Sequence, residues 1–323
     1  MSSKKKNIYA YLGKVILITL LIVLLIRTFL IEPYTIMSTQ MEDSLVKGDR
    51  VLIDKTAYGI RLPITLLSIP FTFDSFWGVK SYSTAIEFPY KRMFERKVKQ
   101  NDIILFNNPT EIDRPLDKRS LIISRCVAIG GDSVQLKDGY LYINGKSYVS
   151  SPDQKREYVS LVKDEELDEV LAESEISISG TDRKGDSVFA ELSKFEAFAL
   201  NEYLLDSLHF KVCSDSIITY NFLVPAKGSF IDANSLNLNI YKRIILEEQG
   251  GKAKIENDKL YIDNVFQSKY IFSNDYYWVV SDNMEDAIDS RSLGFIPFAN
   301  IIGKANVIWY SADKERWFTK IEN

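Results

Sequence analysis

Ser120-Leu121-Ile122-Ile123-Ser124-Arg125-Cys126-Val127-Ala128-Ile129-Gly130-Gly131-Asp132 is the stretch from which the fold is read. Its first ten residues are mostly β-branched or small and apolar, carry one charge, and stop at a Gly-Gly pair. That pattern is a buried strand ended by a turn. Working outward, residues 50–55, 102–106, 133–143, 276–280 and 304–310 repeat the composition, with Gly, Asn, Asp and Pro between them. Runs of this length and spacing predict an antiparallel sheet and a mainly β fold class. Helix is expected only in residues 163–175 and 191–205, where Glu, Leu and Ala are common and Pro is absent.

Gly130-Gly131 is followed by Lys137-Asp138-Gly139-Tyr140-Leu141-Tyr142-Ile143-Asn144-Gly145, and Gly250-Gly251 by Asn257-Asp258-Lys259-Leu260-Tyr261-Ile262-Asp263-Asn264. Each reads as a β-hairpin, the first with an Asn-Gly suited to a type I′ turn. Between these echoes, residues 151–249 hold 19 acidic and 10 basic residues, a net -9. The whole chain is -4, so the remainder is +5. This asymmetry marks 151–249 as an inserted α+β subdomain within a domain made of 32–150 and 250–323.

The N-terminus is basic at Lys4, Lys5 and Lys6, and residues 15–26 carry no charge. Counting residues 9–31 gives 23 positions with only Lys14 and Arg27 charged, close to the ~20 that span a bilayer. Lysine and arginine near the ends of a span reach the headgroups. A transmembrane helix is therefore expected over 9–31. The lysines before it make residues 1–8 a cytoplasmic tail and place the rest of the chain outside the cell (inner) membrane. A cleaved signal peptide would need small residues at its cleavage site; here Ile31-Glu32-Pro33-Tyr34-Thr35 follows. Between residues 62 and 90, Leu66, Leu67, Phe71, Phe73, Phe76, Trp77, Phe88 and Tyr90 alternate with Pro63, Pro70 and Pro89. Part of this stretch is expected in the core and part at the headgroup layer.

The 323 residues, 46% apolar and 26% charged, exclude disorder. A net charge of -4 supplies no positive field for nucleic acid. One histidine, His209, and two cysteines, Cys126 and Cys213, are too few for a zinc or iron centre, so no metal and no cofactor are expected. The same scarcity removes Ser-His-Asp and Cys-His mechanisms unless His209 serves. The two cysteines leave a disulfide open.

Four segments, one of them within the opening stretch, occur in order. They are Ile36-Met37-Ser38-Thr39-Gln40-Met41-Glu42-Asp43-Ser44-Leu45 with Gly48-Asp49 and Lys55-Thr56-Ala57-Tyr58-Gly59-Ile60-Arg61-Leu62-Pro63, then Asn101-Asp102-Ile103-Ile104-Leu105-Phe106. Ser124-Arg125-Cys126-Val127-Ala128-Ile129-Gly130-Gly131-Asp132 follows, and last Ser281-Asp282-Asn283-Met284-Glu285-Asp286-Ala287-Ile288-Asp289-Ser290-Arg291 running on to Gly294 and Gly303. The ordered set resembles bacterial type I signal peptidases of the S26 family, in a long-insert version. The resemblance implies a membrane anchor, a signal-peptidase-type antiparallel β domain and serine-type endopeptidase chemistry on signal peptides of exported proteins. In that chemistry a lysine kept neutral by burial deprotonates a serine.

Residue by residue, the resemblance puts Gln40 at the nucleophile position, Ser124 at the lysine base, Ser38 at the oxyanion-holding serine and Ala287 at the hydroxyl that orients the base. Ser281 stands where the family has a glycine beside the lysine. The loop residues Asp282, Asn283, Asp289, Ser290 and Arg291 keep the family pattern, with Asp289 and Arg291 expected to pair. A carboxamide is not a useful nucleophile near neutral pH, so the reaction is expected to be lost while the scaffold is kept. The first expectation is a non-catalytic, membrane-tethered protein that binds signal peptides or other extended peptides along Tyr34, Thr35, Ile36 and Met37. The alternative is an active signal peptidase I with a relocated dyad drawn from Ser38, Ser44 and Lys118. A third is assembly with an active paralogue through the acidic insert or the anchor.

Overall fold

The protein was analysed as a computed structural model that describes residues 2–42, 44–68, 75–76, 78–137, 140–148, 155–174, 176–178, 180–213, 220–283 and 288–321. The apolar N-terminal run forms α1 (Ser2–Phe29). Its segment Tyr11–Phe29 is long and apolar enough to cross a membrane, and none of it is buried within the protein. The helix stops two residues short of the expected limit because Ile31 already pairs with Asp54 in the adjoining sheet. Lys55 fixes the joint: its amine donates to the Arg27 carbonyl at 3.1 Å and to Glu32 at 3.2 Å.

The mainly β expectation holds. The principal sheet contains β1 (Ile31–Thr35), β2 (Arg50–Asp54), β3 (Ile103–Asn107), β4 (Leu121–Ala128), β5 (Tyr276–Val280), β6 (Ile296–Pro297), β7 (Ile301–Tyr310) and β8 (Thr319–Lys320). They run in the spatial order β1-β2-β7-β3-β4-β5-β6, with β8 beside β7, and every pair is antiparallel. Strand alternation sorts the core. Ile103, Leu105 and Ile123 pack with Ile36, Met41, Val51 and Ile53 on one face. Ile104, Phe106, Ile122 and Cys126 pack with Tyr277 and Val279 on the other. Burial on both faces is why β3 and β4 read as nearly unbroken apolar runs. Gly303 in β7 lets the β2 backbone approach: a Cβ there would fall on the Asp54 carbonyl.

Residues 155–213 build a separate small core. Four strands, in the order Thr181–Lys184, Ser187–Ser193, Lys155–Ser160 and Lys211–Val212, carry α2 (Asp164–Ser174) and α3 (Lys194–Asn201). Tyr158, Leu167, Val188, Leu192, Leu200 and Phe210 form its interior. The expected helix at 163–175 is α2. The one expected over 191–205 begins only after Ser193, whose hydroxyl accepts from the Glu196 amide and closes a capping box. Residues 220–249 pack elsewhere. Phe222 and the helix α4 (Ser235–Gln249), through Leu238, Tyr241, Ile244 and Ile245, join Val127, Trp278 and Phe295 in one cluster.

The hairpins take the expected form. Asn144 and Gly145 have φ of 53° and 75° between the paired Ile143 and Lys146, and Asn257 and Asp258 have φ of 49° and 58° between Glu256 and Lys259. The described residues between 60 and 93 form a ribbon in which Ile60–Arg61 pairs Arg92–Met93, and Thr65–Ser68 pairs Tyr82–Glu87. Leu66, Leu67, Ile86 and Phe88 of this ribbon are exposed; Pro70, Phe71, Phe73 and Trp77 lie outside the described residues. Cys126 is a free thiol, which burial pushes well up.

Candidate functional site

The segment after β1 turns toward β4 although three strands separate them in the sheet, so the sheet curls. Two side chains mark the approach: the Tyr34 hydroxyl reaches the Leu121 carbonyl at 3.4 Å, and the Gln40 amide donates to the Ile123 carbonyl at 2.9 Å. Those carbonyls are available because β4 pairs with β5 only from Arg125 onward, leaving its first four residues bonded to β3 alone. The opposing edge of β1 is open as well. Ile36 exchanges backbone bonds with Asp49 and Gly48 on the β2 side, so alternation turns the backbone of Pro33, Thr35 and Met37 outward. Pro33 therefore costs β1 no bond to β2, which is where an edge strand tolerates proline. Among the described residues the edges at 33–37 and 121–124 pair with no further strand, and Tyr34 and Gln40 span the groove between them.

Gln40 is buried, and its own carbonyl accepts from the Asn283 amide at 2.9 Å. Ser124 is wholly buried, and its hydroxyl has no hydrogen-bond partner among the described residues. Arg125 pairs with Val280 across β4 and β5; carrying that register one residue further sets Ser124 opposite Ser281, itself fully buried. The two serines share the strand face of Ile122, Cys126, Tyr277 and Val279. Of the other expected positions, Ser38 is exposed beside the groove and Ala287 lies outside the described residues. Tyr34 is half-buried, Thr35 and Met37 are exposed, and Ile36 is buried.

Behind the groove lies a charge network that sequence reasoning did not foresee. Arg125 binds Asp282 through Nε and Nη2, both at 2.8 Å, with each partner buried. Ser44 completes the triangle, donating to Asp282 at 2.6 Å and accepting from Arg125 at 2.7 Å. Arg316, near the end of the sequence, donates to the Ser44 carbonyl at 3.0 Å and to Asp49 at 2.8 Å. No local signal could have revealed it, because the partners are up to 272 residues apart. The expected Asp289–Arg291 pair is formed at 2.8 Å, and Asp289 also accepts from the Ser281 and Arg291 amides. Ser290, at the start of α5 (Ser290–Leu293), accepts from the Val279 amide. The loop from 281 to 291 is thus pinned to β5 at both ends.

The chemistry open to these groups is limited. Guanidinium does not give up its proton in proteins, so Arg125 cannot serve Ser44 as a base. Lys118 sits on the 3₁₀ turn Leu116–Lys118 with its amine 5.5 Å from the centre of the Tyr82 ring. His209 lies in the 155–213 unit, half-buried, with its Nε2 3.1 Å from the Leu204 carbonyl. Among the described residues no group of acidic, histidine and cysteine side chains is arranged to hold a metal ion.

Residues 9–310 match the signal peptidase, peptidase S26 family. The chain belongs to this family. Among its relatives, signal peptidase I of Buchnera aphidicola subsp. Acyrthosiphon pisum is 25% identical over 93% of this chain and 76% of its own length. Signal peptidase I of Haemophilus influenzae is 23% identical over 92% of this chain and 68% of its own. A crystal structure of a signal peptidase I from Enterococcus faecalis aligns at 16% identity with a TM-score of 0.24, over 65% of this chain and 97% of that one.

Proposed function

We propose that this S26 family protein is a non-catalytic signal-peptidase homologue, anchored by α1 with its N-terminus cytoplasmic, that binds extended peptides in the groove between β1 and β4. The observation that carries the reading is the carboxamide of Gln40, hydrogen-bonded to the Ile123 carbonyl, where the family resemblance calls for a serine hydroxyl. The second half of the reading is Ser124, an enclosed hydroxymethyl group where an amine is called for. A serine attacks a peptide only when a base removes its proton, and neither group of that pair is present at Gln40 and Ser124. What persists is a pair of open strand edges suited to main-chain recognition, with alternate side chains directed to opposite faces. Signal peptides, or other extended segments of exported proteins, are the matching ligands.

The relocated-dyad alternative asks Ser44 or Ser38 to act. Ser44 already spends its proton on Asp282 and its lone pair on Arg125, an arrangement that favours a structural duty. Assembly with an active paralogue is compatible with peptide binding and would make this chain an accessory that presents substrate.

A peptide carrying a photo-cross-linker at alternate positions tests the groove in the detergent-solubilised full chain. Cross-links at every second peptide residue to Thr35, Met37 or Leu121 are expected. An excess of unlabelled peptide should compete them away. Cross-links confined to residues far from both edges would reject the assignment.

A further inference from the structure

The short strand pair at the base of the 60–93 ribbon holds an arrangement that the groove does not use. Arg61 and Arg92 stand directly opposite one another in register. Like charges opposed on neighbouring strands repel, and this pair is enclosed. Arg92 is 7% exposed. Arg61 is half-buried along its stem, with Nη2 shut off from solvent.

Each guanidinium is only partly satisfied, and Arg92 also lies within hydrogen-bonding reach of the Tyr90 hydroxyl. Arg61 Nη1 donates to Asn107 Oδ1 at 2.7 Å, and Arg92 Nη2 donates to the Ile301 carbonyl. Asn107 is in turn held by the Arg119 carbonyl, at 3.0 Å. Arg92 lies over the Phe298 ring at 4.4 Å, with Tyr90 on another side at 5.9 Å. The remaining donors, Arg61 Nη2 and Arg92 Nε and Nη1, are buried without a hydrogen-bond partner among the described residues.

No carboxylate closes the balance. Asp117 is near enough to act on Arg61, but its oxygens accept from the Thr65 hydroxyl and the Ile64 and Thr65 amides. Glu95 acts on Arg92 from an exposed position, and neither acid forms an ion pair with either arginine among the described residues. Burial, with the facing Arg92 next in weight, pushes Arg61 down to about 10. A buried donor left without a partner is costly, more so when charged, and a bridging anion would relieve both the unmet donors and the repulsion.

We propose that Arg61 and Arg92 form an anion site for a phosphate-type oxyanion that bridges the two guanidiniums. Phosphate fits better than a carboxylate for two reasons. Its tetrahedral oxygens can meet donors that are not coplanar, and its charge, one on a headgroup diester and up to two on free phosphate, offsets the two fixed cations. The same chemistry comes from free phosphate or from a phospholipid headgroup. The exposed Leu66, Leu67, Ile86 and Phe88 on the ribbon above give the second source an apolar neighbour.

The test is thermal unfolding of the full chain in neutral detergent, titrated with inorganic phosphate against chloride at matched ionic strength. A parallel arm uses the chain reconstituted in phosphatidylcholine vesicles with and without phosphatidylglycerol. The proposal expects a saturable rise in midpoint, with the unfolded fraction falling about 100-fold when the ligand stands 100-fold above its Kd. In Arg61→Gln the apparent affinity should fall at least tenfold, while stability without phosphate is unchanged or higher because the repulsion is relieved. Should Arg61→Gln fail to fold, Arg61→Lys, which keeps the charge but loses the planar donors, should still weaken the response. A response to phosphate identifies the free anion; a response to phosphatidylglycerol alone identifies the headgroup. No specific response in either arm, or equal responses in wild type and variants, overturns the proposal.

Discussion

At the scale of single residues, the proposed reading makes the exchange of Gln40 and Ser124 for a serine and a lysine the obvious test, and Ser281 is expected to limit it. The register of β4 and β5 puts Ser281 opposite the position a new lysine would occupy, adding a hydroxymethyl group where the family pattern leaves room. A lysine displaced by about 1 Å can lose ~100-fold in rate. Gln40→Ser with Ser124→Lys is therefore expected to cleave a preprotein at least tenfold more slowly than the same pair combined with Ser281→Gly. Equal rates, measured by product formation, would contradict the role given to Ser281. A second residue-scale prediction concerns the buried pair behind the groove. Asp282→Ala leaves the Arg125 charge unpaired and should cost about 3–5 kcal/mol, read as a lower denaturant midpoint.

At the scale of elements, the strands were legible because composition alone marks them. β3, β4 and β5 are buried on both faces, and no helix period competes in their sequences. α4 escaped the reading although Asn234 caps its start through the Asn237 amide and Gly250, at φ 55°, ends it. Its apolar positions were visible, but its polar face is rich in Asn, which weakens the helix signal. The expected helix over 191–205 erred for a related reason: Glu191 and Leu192 belong to a strand whose partners are supplied by Arg156 and Glu157 across the small sheet. Pairing decides such segments, and pairing is not written locally. The close approach of β2 and β7 gives an element-scale prediction. Gly303→Ala should destabilise by about 1–3 kcal/mol through overpacking against the Asp54 carbonyl, measurable as a lower thermal midpoint with peptide cross-linking retained at low temperature.

At the scale of the whole molecule, the groove depends on the curl of the main sheet, which brings the edge at 33–37 to the unpaired start of β4. Residues that the sequence resemblance assigned to structural duties make contacts that hold this shape: Asp282 on Arg125, Asp289 on the Ser281 amide, Asp49 on Arg316. From the sequence the motif segments could be seen, but not the network joining residues 44, 125, 282 and 316, because chain separation hides it. The acidic unit at 155–213 has its own core, so shortening the chain by that unit should leave peptide binding at β1 and β4 within about twofold. Loss of groove cross-linking on that deletion would show that the unit shapes the groove.

The most direct measurement is to incubate the full-length chain, in detergent with an exported preprotein, and follow the preprotein by mass. The account predicts that the preprotein stays intact while cross-linking to the groove. A shortened product formed by the unmodified chain, and not by a preparation lacking it, would contradict the central claim.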